Sequence, residues 1–488
     1  MYAGADASES GRSRSCCPEC REWRRLARQR ERDLERLTQE NGELRERVRM
    51  LEQQLEQAQR AAKRQAAPFS RRRPKSVPRK PGRRPGKDYG PRARRPVPDH
   101  VDETVEVPLP DSCPHCASRD GLETEHVVEQ YQIDIPPVRP HVTCFRMHLG
   151  RCACCGRAVR GRDPRQTSQA VGAAAPHLGP RAVALAADLN KRLGVSYGKL
   201  VVLYEVAFGL SVSRSGWCQA LGRLARAAEP TYQGLIEVVR GSPVVAPDET
   251  GWKVAGYLNW LWVFVTAEVT VYAILPGRGF EQAASILTAE FDGALERDGW
   301  APYRRFTRAE HQTCLAHLLR RSHHLLEYAE RGQARFPHAV RRILTAALEL
   351  RERATNDEVS PHGLAVARGR LAAKMDRALA GRITYPPNRR FAQHLTRERD
   401  HLFTFLARND VEATNWRAEH AIRPAVVTRK VWGGNRTWTG ARIQQILASV
   451  LRTCQQQGRD ALAVFAAMLR QQHSQSLVPA ILGRARLP

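Results

Sequence analysis

The stretch SPVVAPDET, residues 242–250, is an apolar β-like run that ends in a carboxylate, Asp248. Two more strand patterns follow it, over 258–266 and 269–275, and both are rich in β-branched and aromatic residues. We therefore expect three consecutive strands, with Asp248 on or just past the end of the first.

A helix and a fourth strand follow these three strands. FEQAASIL (280–287) has a helical pattern, and FDGALERDGW (291–300) brings a second acid, Asp298, near another strand end. The order β-β-β-α-β, with acids on the first and fourth strands, matches a ribonuclease H-like layout. In that layout the first and fourth strands are neighbours, so the carboxylates of Asp248 and Asp298 can converge. Spaced carboxylates without a nucleophile motif indicate metal-assisted phosphodiester chemistry.

The composition of the chain indicates a nucleic-acid partner. Lysine and arginine total 78 against 50 aspartate and glutamate, a net charge of +28, and so basic a chain attracts polyanions such as DNA. Its 488 residues are too many for one ordinary core, so we expect several domains. The apolar stretch 257–276 carries Asn259 and Glu268, which favour buried strands over a membrane span. With no export signal, the twelve cysteines indicate a reducing compartment, the cytoplasm, and no membrane association.

The N-terminal region contains a seven-residue repeat. After a disordered segment, 1–20, we predict a coiled coil over 21–65 that forms a parallel homodimer or a higher oligomer. The alternative is a single amphipathic helix packed on its own domain. The seam positions of the repeat are Leu34, Asn41, Val48 and Leu55 in one row, and Leu37, Leu44, Leu51 and Ala58 in the other.

A basic segment, 66–108, separates the coiled coil from the next domain. Residues 71–95 hold twelve lysine or arginine residues and a single acid, so they cannot bury a core, and we expect an extended or disordered linker. Arg83 and Arg84 would suit a narrow minor groove of DNA, and a plain basic linker is the alternative.

Two Cys-x-x-Cys pairs indicate a zinc-binding domain over 109–165. Four thiolates from two knuckles suit a tetrahedral Zn²⁺, and a closed four-ligand site of this kind, a zinc ribbon, is structural. Gly156 suits the tight turn after the second knuckle, whereas the first knuckle lacks such a glycine. A set of buried cysteines is the alternative. The predicted ligands are Cys113, Cys116, Cys152 and Cys155.

The region 166–238 has helical patterns. Ser196 is expected to cap one helix, and Ser213 a second one over 214–227. Two helices joined by a short glycine-containing turn are compatible with a helix-turn-helix, in which Arg214 would contact DNA. Any small helical bundle gives the same pattern.

A third acid lies on a late helix. In NWRAEHAIRP, the residues Asn415, Glu419 and Arg423 are four apart and share one helix face. An amide, a carboxylate and a guanidinium on one face suit a metal–phosphate site. The alternative is an exposed amphipathic helix with an Asn–Glu–Arg ladder.

Four segments, taken in order, resemble a known family. They are PDETGW (247–252), RDGWAPYRRF (297–306), CLAHLLRR (314–321) and the segment 414–454 that begins TNWRAEHAIRP. Together they resemble bacterial insertion-sequence transposases of the DDE type, most of all the group named after insertion sequence sixty-six. The resemblance covers residues 80–455. In that group a leucine zipper, a zinc-binding module and a helical DNA-binding region precede the catalytic core.

The resemblance implies an activity on DNA. Such a transposase cuts DNA at the transposon ends and uses the free 3′-OH to attack target DNA, in association with the bacterial nucleoid and with accessory transposition proteins. Two alternatives remain open: a zinc-containing dimeric DNA-binding regulator without catalysis, and a ribonuclease H-like nuclease that cuts without strand transfer. The implied triad, which would hold two Mg²⁺ (or Mn²⁺) ions, is Asp248, Asp298 and Glu419.

The resulting prediction is a multidomain α+β protein. A ribonuclease H-like DDE catalytic domain spans 239–316 and 410–454, a helical insertion spans 317–409, and 455–488 forms a C-terminal tail.

Further residues are predicted to support the triad or to contact DNA. Cys314 and His317 match a Cys-x-x-His found after the second acid in insertion-bearing transposases. Metal binding is one interpretation of that pair, and packing behind the active site, alongside Asn415, is the other. The predicted phosphate contacts near the triad are Arg423, Arg429 and Lys430.

Overall fold

The computed structural model describes residues 18–62, 97–119, 122–167, 177–471 and 473–487. The predictions for the N-terminal segment up to residue 17, and for Arg83 and Arg84 in the basic linker, lie outside the described residues. The chain divides into two compact units, residues 1–80 and 81–488.

The first unit contains one long helix, α1, Pro18–Ala62. The helix predicted from the heptads is therefore confirmed, while its pairing with a second copy stays a prediction. Leucines and valine at the seam positions are largely exposed in the single chain: Leu34, Leu37, Leu44, Val48 and Leu51. The side chains of Leu55 and Ala58 lie outside the described residues.

The second unit is built around a five-stranded mixed sheet in the order β5-β4-β3-β6-β7. A separate two-stranded ribbon, β1 (Leu149–Arg151) with β2 (Ala158–Arg160), precedes it in the chain. The three consecutive strands pair antiparallel, whereas β3 with β6 and β6 with β7 are parallel. The predicted pairing of the first and fourth core strands is thus confirmed. The strands are β3 Val244–Val254, β4 Tyr257–Val265, β5 Thr270–Leu275, β6 Ala294–Arg297 and β7 Glu310–Thr313.

Two details of the sheet differ from the sequence prediction. Strand β3 does not end at Asp248 but continues to Val254, because Trp252 and Val254 are buried and residues 246–254 pair with β4. Strand β7 was not predicted, since its residues EHQT are polar and give no apolar alternation. It is nevertheless buried beside β6.

In the described part of the second unit, three helices precede the sheet: α2 Pro180–Lys191, α3 Tyr197–Phe208 and α4 Arg214–Arg240. The predicted caps are confirmed, because the hydroxyls of Ser196 and Ser213 accept backbone N–H bonds at the starts of α3 and α4. Helix α4 runs thirteen residues past its predicted end at 227. Its buried side chains, such as Leu224 and Leu235, join the same core as the sheet. The described helices of the region 166–238, α2 to α4, therefore share one core with the sheet.

Helices cover both faces of the sheet because the strands alternate their side chains between two apolar clusters. Val245 and Phe264 pack with α4 on one face, whereas Ala246 and Val263 pack on the other with a late helix, α10, Trp416–Trp432. The covering helices include α5 Phe280–Leu287, α10 Trp416–Trp432 and α11 Trp438–Gln456.

The region predicted as a helical insertion is helical, and its role as an insertion stays a prediction. Between β7 and α10 the described residues form helices and turns only, around a separate apolar cluster that includes Leu344 and Phe391. The insertion helices are α6 Leu315–Glu327, α7 Arg335–Thr355, α8 Pro361–Ala380 and α9 Pro386–Arg397.

The predicted C-terminal tail is folded into the domain. Helices α12 (Ala461–Arg470) and α13 (Val478–Ile481) bury Phe465 and Ile481 in the core shared with α4. The apolar stretch 257–276, considered above as a membrane span, forms β4 and β5. Among the described residues, no helix has both the length and the apolar character needed to cross a membrane.

Candidate active site

The register of the two central parallel strands brings the predicted aspartates to the same level of the sheet. Val245 of β3 lies opposite Leu295 of β6. Three residues further along each strand come Asp248 and Asp298, the latter directly after β6 ends. Because parallel strands keep step, this register puts the two aspartates at the same level of neighbouring strands, and the charge of Asp298 acts on Asp248.

Asp248 occupies a carboxylate-rich, poorly solvated position. Its Oδ1 accepts the backbone N–H of Glu249 at 2.9 Å. Burial raises the pKa of Asp248 to about 7, with further contributions from the negative charges of Glu249, Asp298 and Glu419. The negative charges of Asp298 and Glu419 therefore act on Asp248, although the three acids are not a set whose ligand atoms lie within 4.8 Å of one another in the described chain.

Asp298 is fixed by the turn that follows β6. Its Oδ1 accepts the backbone N–H of Trp300 at 2.8 Å. Each aspartate thus has one oxygen held by the backbone, and in the described part of the chain no protein group bonds the other oxygen. This donor set, hard oxygens with one free on each aspartate, fits a divalent cation such as Mg²⁺.

Glu419 lies in the first turn of α10 and faces the start of α6. Its Oε1 lies 3.0 Å from the guanidinium of Arg320 and 3.6 Å from Nδ1 of His317. Ligand atoms of Cys314, His317 and Glu419 all lie within 4.8 Å of one another. Sequence reasoning missed Arg320, although its spacing of three residues from His317 puts both on one helix face.

Asn415 connects the beginning of α10 to both other segments of the site. Its side-chain Nδ2 donates to the carbonyl of Pro247, the residue before Asp248, at 2.8 Å. Its backbone N–H donates to Sγ of Cys314 at 3.3 Å. These bonds tie the Glu419 helix to β3 and to the start of α6.

A buried ion-pair network behind Asp298 was also missed by sequence reasoning. Arg297 and Glu398 are both fully buried, with 2.6 Å between Nη1 and Oε2. The same Nη1 donates to the carbonyl of Asp298 at 3.0 Å. Glu398 also accepts hydrogen bonds from Arg304 at 2.9 Å and Thr313 at 2.8 Å. Because Glu398 belongs to the insertion, this network joins the insertion to the backbone of the second acid.

The charges in this network decide its protonation state. Burial alone would raise the pKa of Glu398, but the Arg297 guanidinium, the Thr313 hydroxyl and Arg304 outweigh it, and the pKa lies below its ordinary value. Arg297 keeps its charge, although burial lowers its pKa. The network is therefore ionised, with two guanidiniums on one carboxylate.

A second braced carboxylate lies beside Asp248. Glu249 is buried, and its Oε1 lies 2.7 Å from Nε of Arg278 while Tyr303 donates its hydroxyl proton to Oε2. The Arg278 guanidinium stacks 3.9 Å from the ring centre of Trp300, the residue whose N–H holds Asp298. The PDET and RDGW motifs are thus linked through Arg278.

The predicted DNA-contacting residues differ in their exposure. Arg214 and Arg423 are exposed, and Lys430 is half-buried. Arg429 is 8% exposed, and its Nη1 donates to the Thr250 hydroxyl at 2.8 Å and to the Gly251 carbonyl. The prediction that Arg429 contacts phosphate is therefore wrong for this conformation, because its guanidinium holds the β3 backbone.

The motif that follows α10 fastens the end of that helix to the β3–β4 hairpin. Asn435 donates its N–H to the Lys253 carbonyl at 2.8 Å and accepts the Trp252 indole N–H at 2.8 Å. Gly434 has a φ of +117°, and a Cβ there would collide with the Lys253 carbonyl. Only glycine fits this close approach.

The two cysteine pairs form matching turns. In each, the residue four places after the first cysteine donates its N–H to that cysteine's carbonyl, Ala117 to Cys113 at 2.8 Å and Gly156 to Cys152 at 2.9 Å. The backbone of both residues lies in the left-handed region, with φ of 59° at Ala117 and 68° at Gly156. In the described chain the only group of three or more close metal-ligand side chains is the one at Glu419, so the four predicted zinc ligands are not gathered into one cluster.

Comparison with known proteins assigns the chain to a class. The family described as "Transposase IS66 family" matches residues 177–443, more than half of the chain. The chain belongs to this transposase family, whose substrate is DNA. It is also similar to an uncharacterized protein, y4qI, of Sinorhizobium fredii (strain NBRC 101917 / NGR234). The two are 27% identical over 419 residues, which cover 76% of this chain and 73% of that protein.

Proposed function

We propose that the chain is a DDE transposase with a ribonuclease H-like core, which cuts DNA at transposon ends and joins them to target DNA. The observation that supports this proposal most is the parallel register, which puts Asp248 and Asp298 at the same level of neighbouring strands, while the charges of Asp298 and Glu419 act on Asp248. The strand order supports it, since the first core strand lies between the second and the fourth.

Asp248, Asp298 and Glu419 would hold the divalent cations, two Mg²⁺ or Mn²⁺ in our proposal. When bound, such ions lower the pKa of the attacking water and stabilise the leaving oxygen. The backbone N–H groups of Glu249 and Trp300 orient the two aspartates. Asn415 fixes the Glu419 helix against β3. No side-chain nucleophile is needed, because water and then the DNA 3′-OH attack phosphorus directly.

The remaining parts would find and hold DNA. A net charge of +28 supports binding along phosphates, and the exposed Arg214 and Arg423 are candidate contacts. The α1 seam, largely exposed in a single chain, would pair with a second copy. The two cysteine knuckles would close on one structural Zn²⁺.

The test is cleavage and joining by the Asp248→Asn variant on DNA carrying an end of the element that encodes the chain. Asp292→Asn is the matched control, because Asp292 is an exposed aspartate paired only loosely with Arg308. Metal chemistry supplies several kcal/mol to such reactions, so we expect Asp248→Asn to lose at least about a hundredfold in cleavage rate. DNA binding should persist.

The outcomes separate three activities. Loss of cleavage with retained binding, and joined products from the wild-type chain, support the transposase. Cleavage without any joined product indicates a nuclease. Specific binding without Mg²⁺-dependent cleavage by the wild type indicates a DNA-binding regulator, and full cleavage by Asp248→Asn removes the catalytic assignment.

A further inference from the structure

The first turns of α6 and α10 bring together three side chains that can bind a metal ion, and these differ in chemistry from the predicted aspartate ligands. Sγ of Cys314, a ring nitrogen of His317 and a carboxylate oxygen of Glu419 lie within 4.8 Å of one another. Cys314 and His317 are three residues apart at the start of one helix, so both point toward the same side. Only the tertiary structure supplies the third member, from a helix about a hundred residues later in the chain.

The chemistry of these three groups differs from that of the aspartates. Thiolate and imidazole are ligands for Zn²⁺ and similar borderline metals, whereas Mg²⁺ requires oxygen ligands. Three protein ligands with a fourth position left for water is a recurring zinc arrangement. The set therefore discriminates between metals, and Glu419 is the one side chain common to it and to the acidic triad.

The thiol of Cys314 is already held in a defined position. Its sulfur accepts the backbone N–H of Asn415 at 3.3 Å, and it interacts with the backbone N–H groups of Ala316 and His317. These contacts orient the sulfur, as the outer contacts of known metal sites do, while burial raises the pKa of the Cys314 thiol. Binding of a cation would release the thiol proton to solvent.

The contact between Arg320 and Glu419 competes with a metal ion for the Glu419 carboxylate, so metal binding has to displace Arg320. Arg320 lies 3.0 Å from the same Glu419 oxygen that His317 approaches, and its side chain is 62% exposed. A long exposed guanidinium loses little when it turns back to water. Arg320 is thus a replaceable partner of Glu419 in the metal-free chain.

We propose that Cys314, His317 and Glu419 form a binding site for Zn²⁺ or a similar transition-metal ion. Occupation of this site withdraws Glu419 from the acidic triad and displaces Arg320, so Zn²⁺ inhibits DNA cleavage in competition with Mg²⁺. The inhibitory consequence rests on the proposed transposase function, but the binding itself does not.

The binding test counts Co²⁺, a spectroscopically visible substitute for Zn²⁺, on the full chain. The wild-type chain should bind one more equivalent of Co²⁺ than either the Cys314→Ala or the His317→Ala variant. Its thiolate-to-cobalt absorption band should be stronger by the amount expected for that one additional ion. Cys454→Ala is the control, since Cys454 is also a fully buried cysteine but lies on α11. Loss of outer contacts alone weakens metal sites about 10–100-fold, so loss of a ligand should weaken this one at least about a hundredfold.

The inhibition test measures DNA cleavage at fixed Mg²⁺ while Zn²⁺ is increased, each variant being compared with itself without Zn²⁺. Wild type and Cys454→Ala should be inhibited, and more Mg²⁺ should relieve it, while Cys314→Ala should need at least about a hundredfold more Zn²⁺. Equal Co²⁺ uptake by wild type and Cys314→Ala overturns the site. If the wild-type chain binds the additional Co²⁺ but Zn²⁺ does not inhibit its DNA cleavage, the proposed competition between Zn²⁺ and Mg²⁺ is wrong. Absence of cleavage in every chain would instead contradict the transposase function and leave the Co²⁺ count to decide the site.

Discussion

Replacing Glu398 with glutamine should destabilise the protein and slow DNA cleavage, although Glu398 is not one of the predicted catalytic residues. The substitution removes the only carboxylate of the buried network that holds Arg297. Arg297 in turn donates to the carbonyl of Asp298. The change should therefore affect both the insertion and the second acid.

The size of the effect follows from burial. Glu398 and the Arg297 side chain are both 0% exposed, so the variant leaves the buried Arg297 guanidinium without its paired carboxylate. Breaking a buried pair in this way costs about 3–5 kcal/mol. A displaced Asp298 should in addition reduce cleavage on the order of ten- to a hundredfold, because small misplacements of reacting groups are costly.

The assay is urea unfolding followed by tryptophan fluorescence, together with Mg²⁺-dependent cleavage. Asp376→Asn is the matched control: Asp376 also pairs with an arginine of the insertion, Arg399, but the two are 52% and 30% exposed. An exposed pair contributes at most about 1 kcal/mol.

A second variant separates stability from positioning. Arg297→Met combined with Glu398→Met replaces the buried pair by apolar side chains, which is often neutral for stability. It still removes the bond to the Asp298 carbonyl, so cleavage should remain reduced while unfolding approaches that of wild type. Two outcomes would refute the reasoning. One is a Glu398→Gln variant that unfolds at the same urea concentration as Asp376→Asn. The other is a stable double variant that cleaves DNA at the wild-type rate.

Three further predictions concern single positions. Arg429→Met should lower the free energy of unfolding by about 2 kcal/mol through loss of two charged hydrogen bonds to the β3 backbone; a change confined to DNA affinity would contradict this. Ala117→Gly should relieve a left-handed φ and strengthen zinc retention in a chelator competition by about 0.5–1 kcal/mol; weaker retention would count against it. Burial and the charge of Arg297 lower the pKa of His311 to about 4. Because the unfolded chain binds this proton at a higher pH than the folded chain, the neutral ring contributes its full stabilisation above pH 6.5, and that contribution is lost as the pH falls toward 4. Acidification from pH 6.5 to 5 should cost about 2 kcal/mol more in wild type than in His311→Gln, as measured by urea unfolding.

Sequence patterns predicted the regular elements well wherever the apolar period was clear. The helix FEQAASIL has the predicted bounds, and the two strands after β3 differ from prediction by one residue at their ends. Local cap chemistry located the starts of α3 and α4 at Ser196 and Ser213. These features depend on neighbours within a few residues, which is why a sequence reveals them.

The errors occurred where distant contacts override local pattern. Strand β7 is polar and four residues long, yet pairing with β6 makes it a strand. Helix α4 and the C-terminal helices α12 and α13 were assigned to other regions, and all three bury side chains in one core. Arg429, expected on the DNA-facing surface, turns inward to the β3 backbone.

The sequence by itself determined which carboxylates are candidates, because Asp248, Asp298 and Glu419 each lie in a motif whose residue types are visible locally. Only the tertiary structure decided what surrounds them: the register that aligns the two aspartates, Arg320 and His317 beside Glu419, and Glu398 behind Asp298. Those partners come from segments about a hundred residues apart, brought together by packing and strand pairing that no local period encodes.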